Sequence, residues 1–145
     1  MVRYVSAVVC TLAGGIALVL SAFGRWIGRR EGMDIPLSQL WNGLGPDTAG
    51  FIGSLAMPLM IATVLALIGA ASKGRLLVGF AGLIGLVVTG LFMLQQGLSE
   101  SGFEHLHQGW TKAGGGALLF IVAAVLLPNR VRTTDDADIP DRNLR

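Results

Sequence analysis

Four long stretches of the sequence contain no charged side chain, and they constrain the fold more than any other feature. They follow Arg3, Asp47, Arg75 and Lys112 and contain 21, 25, 24 and 17 residues. A charge at the centre of a bilayer costs about 2.5–3.5 kcal/mol, whereas about 20 apolar residues in a helix cross the hydrocarbon. The stretches therefore predict transmembrane helices at about residues 5–23, 51–71, 76–96 and 113–128.

The composition supports a membrane protein. Hydrophobic residues make up 52% of the chain and charged residues 14%, compared with about 25% charged residues in soluble domains. We expect an all-α fold, an integral membrane four-helix transmembrane bundle in residues 1–128. The charged, proline-containing segment 129–145 is predicted to be a disordered tail. The first stretch leaves a cleaved signal peptide open, although its apolar core exceeds the usual 7–15 residues.

The distribution of basic residues predicts the orientation. Four spans place both termini and the turn at residues 73–75 on one side, where five Lys or Arg residues flank the spans, against four on the other. The positive-inside rule then puts both termini in the cytoplasm. Nine Arg against two Lys, with abundant Ala, Gly, Val and Leu, is typical of a high-GC bacterium and indicates its cell membrane. The other side carries all three tryptophans, as in an interfacial belt: Trp26, Trp41 and Trp110.

Small residues spaced four apart predict how the spans pack. Membrane helices associate closely where small side chains let their backbones approach. Pro58 lies inside the second predicted span and predicts a kink there. The candidate packing residues are Ala13, Ala17, Ala62, Ala66, Ala81 and Gly85.

The two outer loops, residues 24–50 and 97–112, each contain an amphipathic pattern. Leu37, Leu40, Trp41 and Leu44 follow helical spacing after a start signal at Asp34 and Pro36. Both patterns predict short interfacial helices that form a lid over the bundle. The lid either closes and anchors the bundle or docks a larger partner, and we favour its residues as the partner-binding surface. The second pattern consists of Phe103, Leu106 and Trp110.

Chemically reactive residues are few. Glu100, Glu104, His105 and His107 are the only cluster with metal-ligand chemistry, but two histidines two residues apart point to different faces of a helix. Cys10 is the only cysteine and is expected to pack in a helix. The predicted spans contain no ionisable group of the kind that proton relays and coupled transporters use. We therefore predict no catalytic, cofactor or metal site and no enzymatic activity.

The basic cluster Arg25, Arg29 and Arg30 directly follows the first span. It fits contact with lipid phosphate or with an acidic patch of a partner. The net charge of +2 and the scattered basic residues argue against nucleic-acid binding.

The layout of four spans with a longer first outer loop resembles that of claudin-like tetraspan proteins. Residues 40–44, Leu-Trp-Asn-Gly-Leu, are similar to the Trp-and-Gly-Leu signature of their first loop. The loop lacks the cysteine pair of those proteins, and the resemblance implies no function here.

Three functions are compatible with the sequence. A non-catalytic accessory or assembly subunit of a larger bacterial membrane complex accounts for the small size, the absence of reactive chemistry and the lid. A small oligomeric channel, exporter or membrane-permeabilising protein is the alternative. A membrane enzyme would have to rely on Glu104, His105 and His107 and is the least favoured.

Overall fold

The structure is a computed structural model that describes residues 1–43, 46–98 and 108–127. In these segments the chain forms helices and one short hairpin. The helices are α1 (Val2–Ala22), α2 (Gln39–Asn42), α3 (Ala56–Ala71), α4 (Arg75–Leu98) and α5 (Gly109–Leu126), and the strands are β1 (Arg25–Ile27) and β2 (Arg30–Glu31). The segment 129–145, predicted to be a disordered tail, lies outside the described residues.

Three of the helices are long and apolar enough to cross a membrane. They are α1, α4 and α5, with 21, 24 and 18 residues, while α3 is a shorter apolar helix of 16 residues. The prediction of a mostly helical chain with membrane-spanning helices is confirmed to this extent. The four-span count stays a prediction.

The helices α1, α3, α4 and α5 pack side by side, with α1 and α4 each contacting both α3 and α5. At one end of the bundle the Tyr4 hydroxyl donates a hydrogen bond to the carbonyl oxygen of Ala70 at 3.4 Å. The beginning of α1 therefore lies beside the end of α3. The N–H of Gly74 bonds to the carbonyl of Gly69 at 2.7 Å, and this tight turn returns the chain into α4.

Glycines set the distance between α1 and α5. A Cβ atom added at Gly14 would lie 2.8 Å from the carbonyl oxygen of Gly116, and one added at Gly116 would lie 2.8 Å from the carbonyl oxygen of Gly14. Real Cβ atoms do not approach other atoms so closely, so the two backbones are in direct contact. This is the close small-residue packing expected of helices in lipid.

The predicted packing residues divide into two groups. Ala62, Ala66, Ala81 and Gly85 are buried, whereas Ala17 is half-buried and Ala13 is exposed. The buried face of α1 lies one position after the predicted row of Ala13 and Ala17. On the opposite face, Leu12, Ile16 and Leu20 point outward. The buried face carries Ala7, Thr11, Gly14, Gly15 and Leu18.

Pro58 lies in the first turn of α3. The helix begins at Ala56, five residues after the start of the predicted span. The first four N–H groups of a helix have no partner within it, so a proline there removes no hydrogen bond. The predicted kink required Pro58 to lie deep inside the helix, and it does not.

Candidate docking surface

The chain between α1 and α3 folds into a cap at one end of the bundle, and we call its described residues, 24–43 and 46–55, the outer cap. It opens with the antiparallel pair β1–β2, in which Arg25 lies opposite Glu31. Gly28 lies in the intervening turn with a φ of 54°, a backbone conformation that glycine adopts without steric cost. The N–H of Gly32 then bonds to the carbonyl of Gly24 at 3.2 Å and closes the loop.

A second backbone pairing joins the middle of the outer cap to the start of α3. The N–H of Leu37 donates to the carbonyl of Gly53 at 2.7 Å, and the N–H of Leu55 donates to the carbonyl of Ile35 at 2.9 Å. Pro36 and Ser54 form the bridge between these bonds. The outer cap is thus held by hydrogen bonds between residues far apart in sequence.

Trp26 is the central buried side chain of the outer cap. It is fully buried, and its indole N–H donates to the carbonyl of Ser21 at 2.8 Å. Its ring meets Phe92 of α4 edge-on at 4.7 Å between centroids. Gly109 leaves space for the indole, because a Cβ there would lie 2.5 Å from Cδ1 of Trp26. Trp26 is therefore a core residue of the outer cap and does not belong to an interfacial belt.

Arg30 has a structural role inside the outer cap. Its guanidinium donates to the carbonyl of Asp34 at 3.1 Å and to the carbonyl of Asp47. The Gln39 side chain donates to the same Asp47 carbonyl at 3.1 Å. Arg25 and Arg29 are exposed, so contact with lipid phosphate or with a partner stays a prediction for these two.

Two side-chain hydrogen bonds fix the end of the bundle. Nε2 of Gln95, near the end of α4, donates to the carbonyl of Leu40 at 2.9 Å. Oγ of Ser21, at the end of α1, donates to the carbonyl of Gly109 at 2.7 Å. The first bond ties α2 to α4, and the second joins α1 to the start of α5.

The predicted helix at residues 37–44 is reduced to the single turn α2. The Asp34 carboxylate accepts a bond from the N–H of Glu31 at 3.2 Å and Pro36 lies in the bridge to Ser54, so the expected start signals belong to a turn and a backbone pairing. Of the first apolar stripe, Leu40 is buried, Leu37 is half-buried and Trp41 is 69% exposed. Leu44 lies outside the described residues.

The second stripe is only partly within the described residues. Phe103 and Leu106 lie outside them, as do Glu100, Glu104, His105 and His107. Trp110 is half-buried and is the second residue of α5. Trp110 therefore belongs to a long apolar helix and not to a separate interfacial helix. An interfacial helix that contains Phe103 and Leu106 stays a prediction.

Three large apolar side chains are exposed on the outer cap. Trp41 is 69%, Phe51 is 42% and Ile52 is 85% accessible, and we call these three residues the apolar rim. The hydrogen bond between Leu37 and Gly53 joins the segment that carries Trp41 to the segment that carries Phe51 and Ile52. The rim is thus attached to a hydrogen-bonded scaffold.

The three buried threonine hydroxyls of the bundle bond within their own helices. Thr11, Thr63 and Thr89 each donate to the carbonyl four residues earlier, at 2.8, 2.9 and 2.8 Å. Within residues 1–43, 46–98 and 108–127, no group of three potential metal ligands comes together.

Long apolar helices joined by a hydrogen-bonded cap are features of a helical membrane protein. Comparison of the chain with protein-family models, with curated protein sequences and with solved structures gave no match. The function is therefore inferred from the protein's own surfaces.

Proposed function

We propose that this protein is a non-catalytic accessory or assembly subunit of a larger complex in the bacterial cell membrane, and that the apolar rim is its docking surface. The observation that carries the proposal is the contrast within the outer cap. Trp26 and Leu40 are buried and hydrogen bonds hold the backbone, yet Trp41 and Ile52 are 69% and 85% exposed.

Covering the apolar rim with a partner is energetically favourable. Burying a large apolar side chain contributes roughly 1.5–3 kcal/mol, and tryptophan is among the residues that most often dominate binding at interfaces. The scaffold beneath the rim is tied to α4 through Gln95 and Leu40, so little ordering would be needed on binding. The competing role is an anchor in the lipid headgroup region, which tryptophan also suits.

A pore through one copy of the bundle is disfavoured. The buried threonine hydroxyls are directed to carbonyls of their own helices, and Gly14 and Gly116 bring α1 and α5 into backbone contact. Among the described residues of the bundle interior, this leaves little polar surface for a conducting path. A channel formed by several copies of the chain is the alternative function, and the crosslinking experiment distinguishes it.

We further propose that α3 crosses the membrane as well, which gives four spans with both termini in the cytoplasm. Its 16 residues rise about 24 Å, about 6 Å less than the roughly 30 Å of hydrocarbon, a mismatch that local thinning of the bilayer accommodates. Tyr4 pairs with Ala70 at one end, and Ile35 pairs with Leu55 just before the other. The first contact places the end of α3 beside the start of α1, and the second places the start of α3 at the outer cap, so α3 runs antiparallel to α1.

Topology reporters test this arrangement. A phosphatase inserted near Gly45 is expected to be active, since that enzyme requires the outer compartment, and a fluorescent protein fused after Arg145 is expected to be cytoplasmic. A second fluorescent fusion after Gly74 should also be cytoplasmic. The opposite pattern would reject the orientation, and a Gly74 fusion on the outer side would reject the four spans.

Photocrosslinking in cells tests the docking surface. A photoreactive phenylalanine analogue at Trp41 is expected to give one discrete adduct with a different membrane protein. The matched control is Phe80, which is 56% exposed on α4 at the opposite end of the bundle and should give lipid adducts only.

The other outcomes separate the competing roles. Lipid adducts alone at Trp41 would make the rim a membrane anchor, and a covalent dimer of this chain would support the oligomeric channel. Either result would overturn the accessory-subunit proposal. The variant Trp41→Ala should lower recovery of the complex while leaving the amount of inserted protein unchanged.

A further inference from the structure

A continuous groove runs along the outside of the bundle between α1 and α3. Its two adjoining stretches have volumes of about 280 and 200 Å³ and share Leu12 and Leu67 in their walls. From Tyr4 to Leu20 the groove follows α1 for about 24 Å at the helical rise. Its walls consist almost wholly of apolar side chains, and Leu12 and Leu67 are partly exposed on the outside of the bundle.

The groove ends beside the positive charge of Lys73. Tyr4 lines this end, and the Lys73 amine lies 5.3 Å from the centre of its ring. Arg3 and Arg75 lie within two residues of these in sequence, and segments 1–30 and 48–98, which supply α1, α3 and α4, contain no acidic residue. The four aspartates of segment 129–145 lie outside the described residues. An anionic group is therefore the complementary ligand at this end.

Lys73 holds an unfavourable backbone conformation at this position. Its φ is 54°, in the left-handed region that glycine adopts more readily than residues with a side chain. The neighbouring Gly74 would suit such a position better. The chain thus places a lysine, with its amine over Tyr4, where a glycine would stabilise the turn more.

We propose that this groove binds one anionic phospholipid, with an acyl chain between α1 and α3 and the phosphate at Lys73. Half of the hydrocarbon thickness is about 15 Å, so a groove of about 24 Å accommodates the chain of one leaflet. Basic pockets between membrane helices are known to hold phosphorylated headgroups.

Native mass spectrometry of the purified full chain in detergent tests the headgroup. Phosphatidylglycerol is expected to bind more tightly than phosphatidylcholine with the same chains. Lys73→Gln should weaken phosphatidylglycerol binding about five-fold, as expected for one basic residue near an anionic headgroup, while Lys73→Arg should retain it. Lys112→Gln, at the opposite end of the bundle, is the matched control and should have no effect.

A second pair of variants tests the groove itself. Leu67→Trp enlarges a side chain in the wall shared by both stretches. It should fill the groove and weaken binding of both lipids. Leu83→Trp places the same side chain at an exposed position of α4 that does not line either stretch and should not. Because the Lys73 and Lys112 variants change exposed side chains, that comparison remains informative if Leu67→Trp fails to fold.

Three results would overturn the proposal. They are equal binding of the two lipids to the unmodified protein, equal behaviour of Lys73→Gln and Lys112→Gln, and displacement of phosphatidylglycerol by inorganic phosphate alone. The last would show that the acyl chain contributes nothing.

Discussion

Replacing Trp26 with alanine is expected to lower the free energy of unfolding by about 3–5 kcal/mol, the range measured for Trp or Phe to Ala changes in protein cores. The side chain is fully buried, and its ring packs edge-on against Phe92. Its N–H donates to Ser21, whose hydroxyl donates to Gly109. The substitution therefore leaves a cavity at the junction of the outer cap, α1, α4 and α5.

Denaturant or thermal unfolding of the detergent-solubilised protein measures this effect. The control is Trp41→Ala, which removes the same side chain from a largely exposed position and should change stability by about 0.5 kcal/mol or less. If the two variants were equally stable, Trp26 would not be a core residue of the outer cap.

Replacing Gly116 with leucine is expected to separate α1 from α5 and to cost about 3 kcal/mol or more, at the upper end of overpacking effects. The first added carbon would already lie 2.8 Å from the backbone oxygen of Gly14 and 3.1 Å from Leu18. A backbone atom cannot move aside as a flexible side chain can, so the helices must shift. The melting temperature and the fraction of monodisperse protein should both fall.

The neighbouring glycine provides a sharp control. A Cβ at Gly115 would meet no atom within 4 Å, so Gly115→Leu adds the same side chain on the outside of α5 and should be tolerated. Equal loss of stability in both variants would indicate a general requirement for glycine in α5. It would contradict the α1–α5 contact.

The long helices were predictable because lipid imposes a simple rule on sequence. Charges cannot remain in hydrocarbon, so the stretch after Arg3 corresponds to α1 and the stretch after Arg75 to α4. The packing face of α1 was less predictable. Ala13 and Gly14 are neighbouring small residues, and only the positions of α3 and α5 determine that Gly14 is the buried one.

The outer cap was the least predictable part, because its order comes from pairings distant in sequence. The strands have only three and two residues, and the Ile35–Leu55 bond joins positions 20 residues apart. No local pattern distinguishes Trp26 from Trp41, since both lie beside apolar residues in the same loop. The spacing of Leu37, Leu40 and Trp41 fits a helix, but the pairing of Pro36 with Ser54 limits that helix to one turn.

The mass of the assembly released from native membranes by a mild detergent tests the proposed function most directly. One copy of the chain has a mass of 15.2 kDa. The accessory-subunit account predicts a particle that contains this chain and a larger, different subunit in fixed ratio, and predicts that Trp41→Ala releases the chain from it while Phe80→Ala does not. A single copy, or a particle whose mass is a whole-number multiple of 15.2 kDa, would contradict it.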